Sequence, residues 1–311
     1  MNLPHAAQAS SALHGAVRLT DWGVIRAAGA DARKFLHGQL TQDVELMGPN
    51  EARLAGYCSA KGRLLASFVI WREGPDDVLL ACSADLLPTV LKRLSVFVLR
   101  AHCKLSDASA ERPLWGWTGA LPAALDQAGT RAELPGGTAL RLPDASCGGA
   151  MVPRALWVGS DAPAAGALDL PTWQGLEAAS GVARVVAATV EQFVPQMVNL
   201  ELVGGVNFKK GCYPGQEVVA RSQYRGTLKR RAQVVTSEAS LSPGQEVFHS
   251  ADPGQPAGMV VLGGVLPAAP QVGLVELKLA SLEGGTLHLG AADGPVLQRA
   301  ELPYALPSDT A

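Results

Sequence analysis

The groups in this chain that could do chemistry are concentrated in residues 207–231, NFKKGCYPGQEVVARSQYRGTLKRR. Cys212 stands between Gly211 and Tyr213, two residues after Lys210. A nearby cation favours thiolate over thiol, which makes Cys212 the candidate reactive sulfur. Gly211 and Gly215 allow a tight loop that approaches a ligand closely, and Pro214 stiffens it. Gln216 and Glu217 add an amide and a carboxylate that could orient a polar heterocycle or pair with Lys210. From Lys209 onward the segment holds seven bases (Lys209, Lys210, Arg221, Arg225, Lys229, Arg230 and Arg231) against one acid, Glu217. That local charge of +6 sits in a chain whose net charge is −2. It reads either as an anion-binding patch or as a solvated surface face, and the loop either as a reactive site or as a structural connection with an inert cysteine.

Two tryptophans extend the candidate set. Trp22 precedes a turn-like Gly23, and Trp173 starts a short helix after Pro171. Large flat side chains in such places can stack on a planar ligand or cap a core. Other chemistries lack a signal. There is no G-x-G-x-x-G after a strand, no G-x-x-x-x-G-K-[ST] and no G-x-S-x-G. The six histidines are scattered without metal-ligand spacing, so no metal site is expected. Cys58, Cys82 and Cys103 lie in apolar strand patterns and read as small buried hydrophobes.

Composition bounds the class. The 311 residues suggest two or three domains. With 48% apolar and 17% charged residues, the chain is a folded globular protein. A pI near 6.3 argues against a wholly cationic nucleic-acid binder. Five cysteines without paired spacing fit a reducing compartment. The N-terminal MNLPHAAQASSALHG has neither the basic nor the apolar region of a secretory signal, so a cytoplasmic location is expected. The uncharged run from Gly254 to Val275 contains Pro256, Pro267 and Pro270, and reads as two strands and a turn, not as a membrane span.

The elements that must position these residues follow from periodicity. Residues 16–28 read as two short strands. Asp31 can cap a helix from Ala32 to about Leu40. Strands are expected over 52–59, 63–72 and 77–82, a helix from Ala84 to about Leu94, and a strand over 97–105. Residues 107–170 suggest a second αβ unit with a helix near 120–128 and strands near 138–142 and 155–159. A short helix covers 172–181. From about Arg230, short apolar runs alternate with Gly and Pro turns, the texture of an all-β barrel. The expected organisation is an α+β region over 1–229, divided at about 15–106 and 107–229, and a β-barrel over 230–311.

KGCYPGQEVVAR followed by RGTLKRR resembles the K-G-C-Y-x-G-Q-E signature of the YgfZ folate-binding proteins. LTDWGVIRAAGADARKFLHGQLTQDV, CSAKGRLLASFVIWR, FVPQMVNLELVGGVNFKKG and the tail LPYAL resemble further blocks of that family, so the likeness spans nearly the whole chain. It implies the aminomethyltransferase-like fold of ferredoxin-like units with a C-terminal β-barrel, around a central cavity for tetrahydrofolate or a derivative. It implies Trp22, Trp173, Tyr213, Gln216 and Glu217 as folate contacts, and Cys212 as the functional thiol, beside Lys210 at the cavity mouth. It further implies a role in assembly or repair of iron–sulfur enzymes, and through them in tRNA methylthiolation. Where the related aminomethyltransferases carry a catalytic carboxylate, KGRLLASF offers Leu65 and Ala66. The turn that carries a glutamate in those enzymes reads Ala179, Ser180, Gly181. Aminomethyl transfer thereby loses its obvious agent. The expected partners are folate and iron–sulfur or cluster-assembly proteins, with tRNA reached indirectly and no membrane. A folate-dependent one-carbon transferase and a direct tRNA-binding module using Lys209 to Arg231 are the alternatives.

Overall fold

The computed structural model describes residues 13–225, 228–267 and 271–307. Most of the N-terminal segment read for a signal (residues 1–12), Gly226 and Thr227 of the basic stretch, and Pro270 lie outside the described residues.

The first sheet is built from β2 (Trp22–Ala28), β3 (Ala52–Cys58), β4 (Leu64–Gly74), β5 (Asp77–Ser83) and β6 (Lys104–Asp107), in the order β3-β4-β5-β2-β6. Every pairing is antiparallel. Side chains alternate between its faces, as the two-residue strand period requires. Ile25, Ala27, Phe68, Ile70, Leu80 and Cys82 point to one side, where α1 (Ala32–His37) and α2 (Leu87–Val98) cover them. Val24, Val69, Trp71, Leu79 and Ala81 point to the other. The first helix is shorter than its spacing suggests, and Asp31 stands at its N-cap without a side-chain capping bond. The Asp31 carboxylate instead accepts from the His102 backbone N–H at 2.7 Å and ties the start of α1 to the loop after α2. The second helix runs on to Val98, so the expected strand over 97–105 starts only at Lys104.

A second sheet has the order β1-β7-β10-β9-β8, with β1 (Gly15–Arg18), β7 (Leu114–Thr118), β8 (Arg131–Leu134), β9 (Gly137–Cys147) and β10 (Ala150–Val158). The chain's first strand thus crosses into this sheet, pairing Gly15–Arg18 with Trp115–Thr118. The 15–106 segment is therefore not one sheet by itself. The helix expected near 120–128 is a single 3-10 turn at Ala123–Leu125. The two sheets face each other across Val24, Trp71 and Leu79 on one side and Leu114, Leu140, Leu142 and Leu156 on the other.

From Arg230 the chain forms a closed barrel in the order β11-β14-β13-β12-β15-β16. Its strands are β11 (Arg230–Ser237), β12 (Glu246–His249), β13 (Gly258–Val265), β14 (Gln271–Lys278), β15 (Leu287–Leu289) and β16 (Val296–Ala300). Val235, Val247, Val260, Val275, Leu277 and Leu289 fill its interior. Between sheets and barrel lies α3 (Leu170–Ala179), started by Asp169, whose carboxylate accepts from the Thr172 N–H at 2.7 Å. This helix rests directly on the barrel backbone. A Cβ on Gly175 would lie 2.3 Å from the Val265 carbonyl oxygen, and one on Gly264 would lie 2.2 Å from the Gly175 nitrogen. Only glycine at both places lets the helix sit that low.

Candidate functional site

Among the described residues, the cysteine loop is fixed from beneath by Lys210. The Lys210 Nζ donates to the carbonyl oxygens of His37 (2.6 Å), Leu40 (3.1 Å) and Gly211 (3.2 Å), and lies 4.8 Å from the Tyr213 ring centroid. The side chain is buried. Burial lowers its pKa to about 8 against the opposing pull of Asp43, Cys212 and Glu45. Tyr213 is also buried, and burial raises its phenol. Gly215 follows at φ +78, where a Cβ would meet the Ser59 carbonyl oxygen at 2.4 Å. The loop is thus pressed onto the β3–β4 turn before α4 (Gln216–Tyr224) begins. Between these anchors Gly211 and Cys212 are exposed, as is Glu217, while Gln216 is half-buried. The ring of His37, at the end of α1, lies against the loop, with its Nδ1 3.2 Å from Asp43 Oδ1.

The basic stretch does not form one open patch. Arg231 is buried and paired with Glu201, and it also donates to the Gln196 carbonyl oxygen at 3.0 Å. Arg230 is half-buried and grips the buried Glu276 carboxylate at 2.7 and 2.9 Å. With Lys210 buried as well, the cations left exposed are Lys209, Arg221, Arg225 and Lys229. Counting charge along the sequence missed the partners because Glu201 and Glu276 lie outside the stretch.

A separate cavity of about 630 Å³ opens where the first sheet, α3 and the barrel meet. Asp21, Ser83, Gln174, Glu177 and Arg184 supply its polar wall, and Leu241 and Leu262 its barrel side. Arg184 stands at the centre. It donates to Asp21 Oδ2 (2.8 Å), Glu177 Oε2 (3.1 Å) and Ser83 Oγ (3.0 Å), and its guanidinium carbon lies 4.9 Å from the Trp22 ring centroid. Burial opposes the Arg184 charge, but the Glu177 and Asp21 carboxylates outweigh it and hold its pKa above the ordinary value. Burial pushes the Glu177 carboxyl upward, opposed by Arg184. Asp21 Oδ1, Trp22 Nε1 and Arg184 Nε are buried without a hydrogen-bond partner among the described residues. Unpaired buried polar atoms are uncommon, and these three belong to residues that line this cavity or a neighbouring one.

The two tryptophans are placed differently. Trp22 is half-buried and lines a neighbouring cavity of about 470 Å³ with Arg18, Asp107 and Arg112. Trp173 is fully buried, packed on the bare backbone of Gly116 with the Arg154 guanidinium 5.5 Å from its ring. Cys212 is not among the residues lining these two cavities; it is exposed on the loop that Lys210 ties to α1. The turn at Ala179–Gly181 does lack a carboxylate, but Glu177 stands two residues before it and lines the cavity together with Asp21. Reading along the chain missed both because Asp21 and Arg184 are 163 residues apart.

No protein-family model matches the chain. The tRNA-modifying protein YgfZ of Photobacterium profundum is 29% identical, covering 93% of this chain and 91% of its own. That of Escherichia coli O17:K52:H18 is 33% identical over 73% of each chain, and that of Edwardsiella ictaluri 34% identical over 69% and 68%. Among solved structures, the glycine cleavage system aminomethyltransferase T of Bartonella henselae superposes with a TM-score of 0.72, covering 95% of this chain and 88% of that one at 14% identity. The sheets and closed barrel described above are therefore the aminomethyltransferase T fold, and the sequence likeness shows that the chain belongs to the YgfZ family.

Proposed function

We propose that this chain binds tetrahydrofolate or a related folate in the cavity between the first sheet, α3 and the barrel. As a folate-dependent accessory protein it would support the assembly or repair of iron–sulfur enzymes, and through them tRNA modification such as methylthiolation. The observation that carries the reading is the Asp21–Arg184–Glu177 cluster with its unpartnered Asp21 Oδ1. The pterin edge of a folate is rich in N–H donors, the complement of two carboxylates on one wall. The volume falls within the range of about 300–1,000 Å³ usual for ligand pockets. Asp21, Gln174, Glu177 and Arg184 would hold the heterocycle, with the indole of Trp22 on the far side of Arg184. The relatives' name, tRNA-modifying protein, supports the wider role. In this reading Cys212 is the functional thiol and acts on a face of its own, held by Lys210.

Anaerobic titration calorimetry with tetrahydrofolate tests the reading. Micromolar binding to the wild type, weakened at least tenfold in Glu177→Gln and Trp22→Ala, is the expected result. A wild type that does not bind would remove folate from the account. A second reading, folate-dependent one-carbon transfer, gains from the same wall, since Glu177 and Asp21 are carboxylates in reach of a bound ligand. Turnover of an aminomethyl or methyl donor that Glu177→Gln abolishes would favour it. Direct tRNA binding along Lys209–Arg231 loses support, because Lys210, Arg230 and Arg231 are engaged inside the protein.

A further inference from the structure

We propose that the C-terminal end of α2 is a docking site for a partner protein whose contact surface is an apolar pocket rimmed by carboxylates. This helix seats Leu87, Val90 and Leu94 on the first sheet. At 100° per residue, Val96 falls on the opposite side from that stripe and Phe97 on its flank. They are 65% and 46% exposed. Leu99 follows, 86% exposed. It is the second residue of the turn Val98–Ala101, closed by the Ala101 N–H donating to the Val98 carbonyl oxygen at 2.9 Å. Its φ of 48° and ψ of −107° belong to a turn position that favours glycine. A leucine there strains the backbone and puts an isobutyl group into water.

The surround is positive. The sequence has no acid between Asp85 and Asp107, and Lys92, Arg93, Arg100 and Lys104 in that interval are all exposed; the Asp31 carboxylate that the fold brings to this loop is engaged by the His102 backbone N–H. The Arg93 guanidinium carbon lies 6.0 Å from the Phe97 ring centroid. Three exposed apolar side chains on a segment whose own charged residues are all basic match an anchor pocket with an acidic rim. A nucleic-acid backbone would answer the cations but offers nothing to receive Val96 and Leu99. Both helices cover the same face of the sheet, and the His37 carbonyl oxygen at the end of α1 accepts from Lys210. The helix that anchors the cysteine loop therefore lies on the same face of the sheet as α2.

This inference gives a contact face to the accessory role proposed above and rests on it, but its test is separate. The full chain carrying Leu99→p-benzoylphenylalanine is irradiated in its native cells. The expected result is a discrete adduct that resists ribonuclease, is destroyed by protease, and falls at least tenfold when Arg93→Glu and Arg100→Glu are added. A Phe97→Ser/Leu99→Gly variant is expected to keep its melting temperature and its tetrahydrofolate affinity within twofold, and to lose support of cluster-dependent tRNA methylthiolation. A ribonuclease-sensitive adduct, an adduct of twice the chain's mass, no adduct, or a yield indifferent to charge reversal would each overturn the proposal. Absence of folate binding to the wild type would overturn the folate reading and leave the crosslinking result standing.

Discussion

Lys210 is held by three backbone carbonyls and an aromatic face, so its ammonium is both a structural clamp and a group poised near neutrality. Burial lowers its pKa from 10.5 to about 8. The folded-state pKa lies below the unfolded one. Between about pH 8 and about 10.5 the unfolded chain therefore holds a proton that the folded chain has released, and stability rises with pH. The contribution is lost as pH falls through 8. Urea unfolding from pH 7.5 to 10 should show the wild type gaining on Lys210→Met. Parallel curves would mean that the ammonium is not depressed. Gly215 is the other residue on which the loop depends. Gly215→Ala at φ +78, with a Cβ 2.4 Å from a carbonyl oxygen, is expected to cost about 2–4 kcal/mol, read as a lower urea midpoint. An unchanged midpoint would mean the β3–β4 turn can yield.

The element that organises the cavity is α3. Its Trp173 faces inward between the two sheets, while Gln174 and Glu177 turn to the cavity and Gly175 to the barrel. One short helix thus serves three surroundings. Trp173→Ala is expected to cost about 3–5 kcal/mol, as for a large buried aromatic. Trp22→Ala should cost clearly less, because Trp22 is only half-buried and opens on a cavity. Equal unfolding midpoints for the two variants would contradict this division between core and wall. It also bears on ligand tests: any loss of folate binding in Trp173→Ala reports on the seat of α3, whereas in Trp22→Ala it reports on the wall.

At the scale of the molecule, Arg184 joins parts that share no backbone hydrogen-bond ladder. It links Asp21, just before β2, and Ser83, at the end of β5, to Glu177 of α3, beside the barrel residues Leu241 and Leu262. Removing one member of a buried ionic cluster leaves the others desolvated and unpaired. Arg184→Met is therefore expected to destabilise by about 3–5 kcal/mol, and adding Glu177→Leu should recover part of that loss. Strict additivity in urea unfolding would show that the two are not coupled. Tyr304 ties the end of the barrel domain to the same region, its hydroxyl donating to the Gly181 carbonyl oxygen at 2.7 Å.

Much of this was legible in the residues alone. Short apolar runs separated by turns marked β2–β5, the change to short Gly- and Pro-punctuated runs marked the barrel at Arg230, and glycine, cysteine and lysine types marked the loop at 210–215. These are local properties, carried by neighbours within a few positions. The sequence determined the loop's chemistry, the class of fold and the family likeness. Only the tertiary structure decided that Glu201 and Glu276 withdraw Arg231 and Arg230 from the surface, that Trp173 is core while Trp22 is wall, that Cys212 lines neither of the two cavities described, and that Asp21, Glu177 and Arg184 meet. Each of those outcomes depends on a partner tens to well over a hundred residues away. Burial and charge pairing are properties of what packs against a side chain, and no spacing along the chain encodes them.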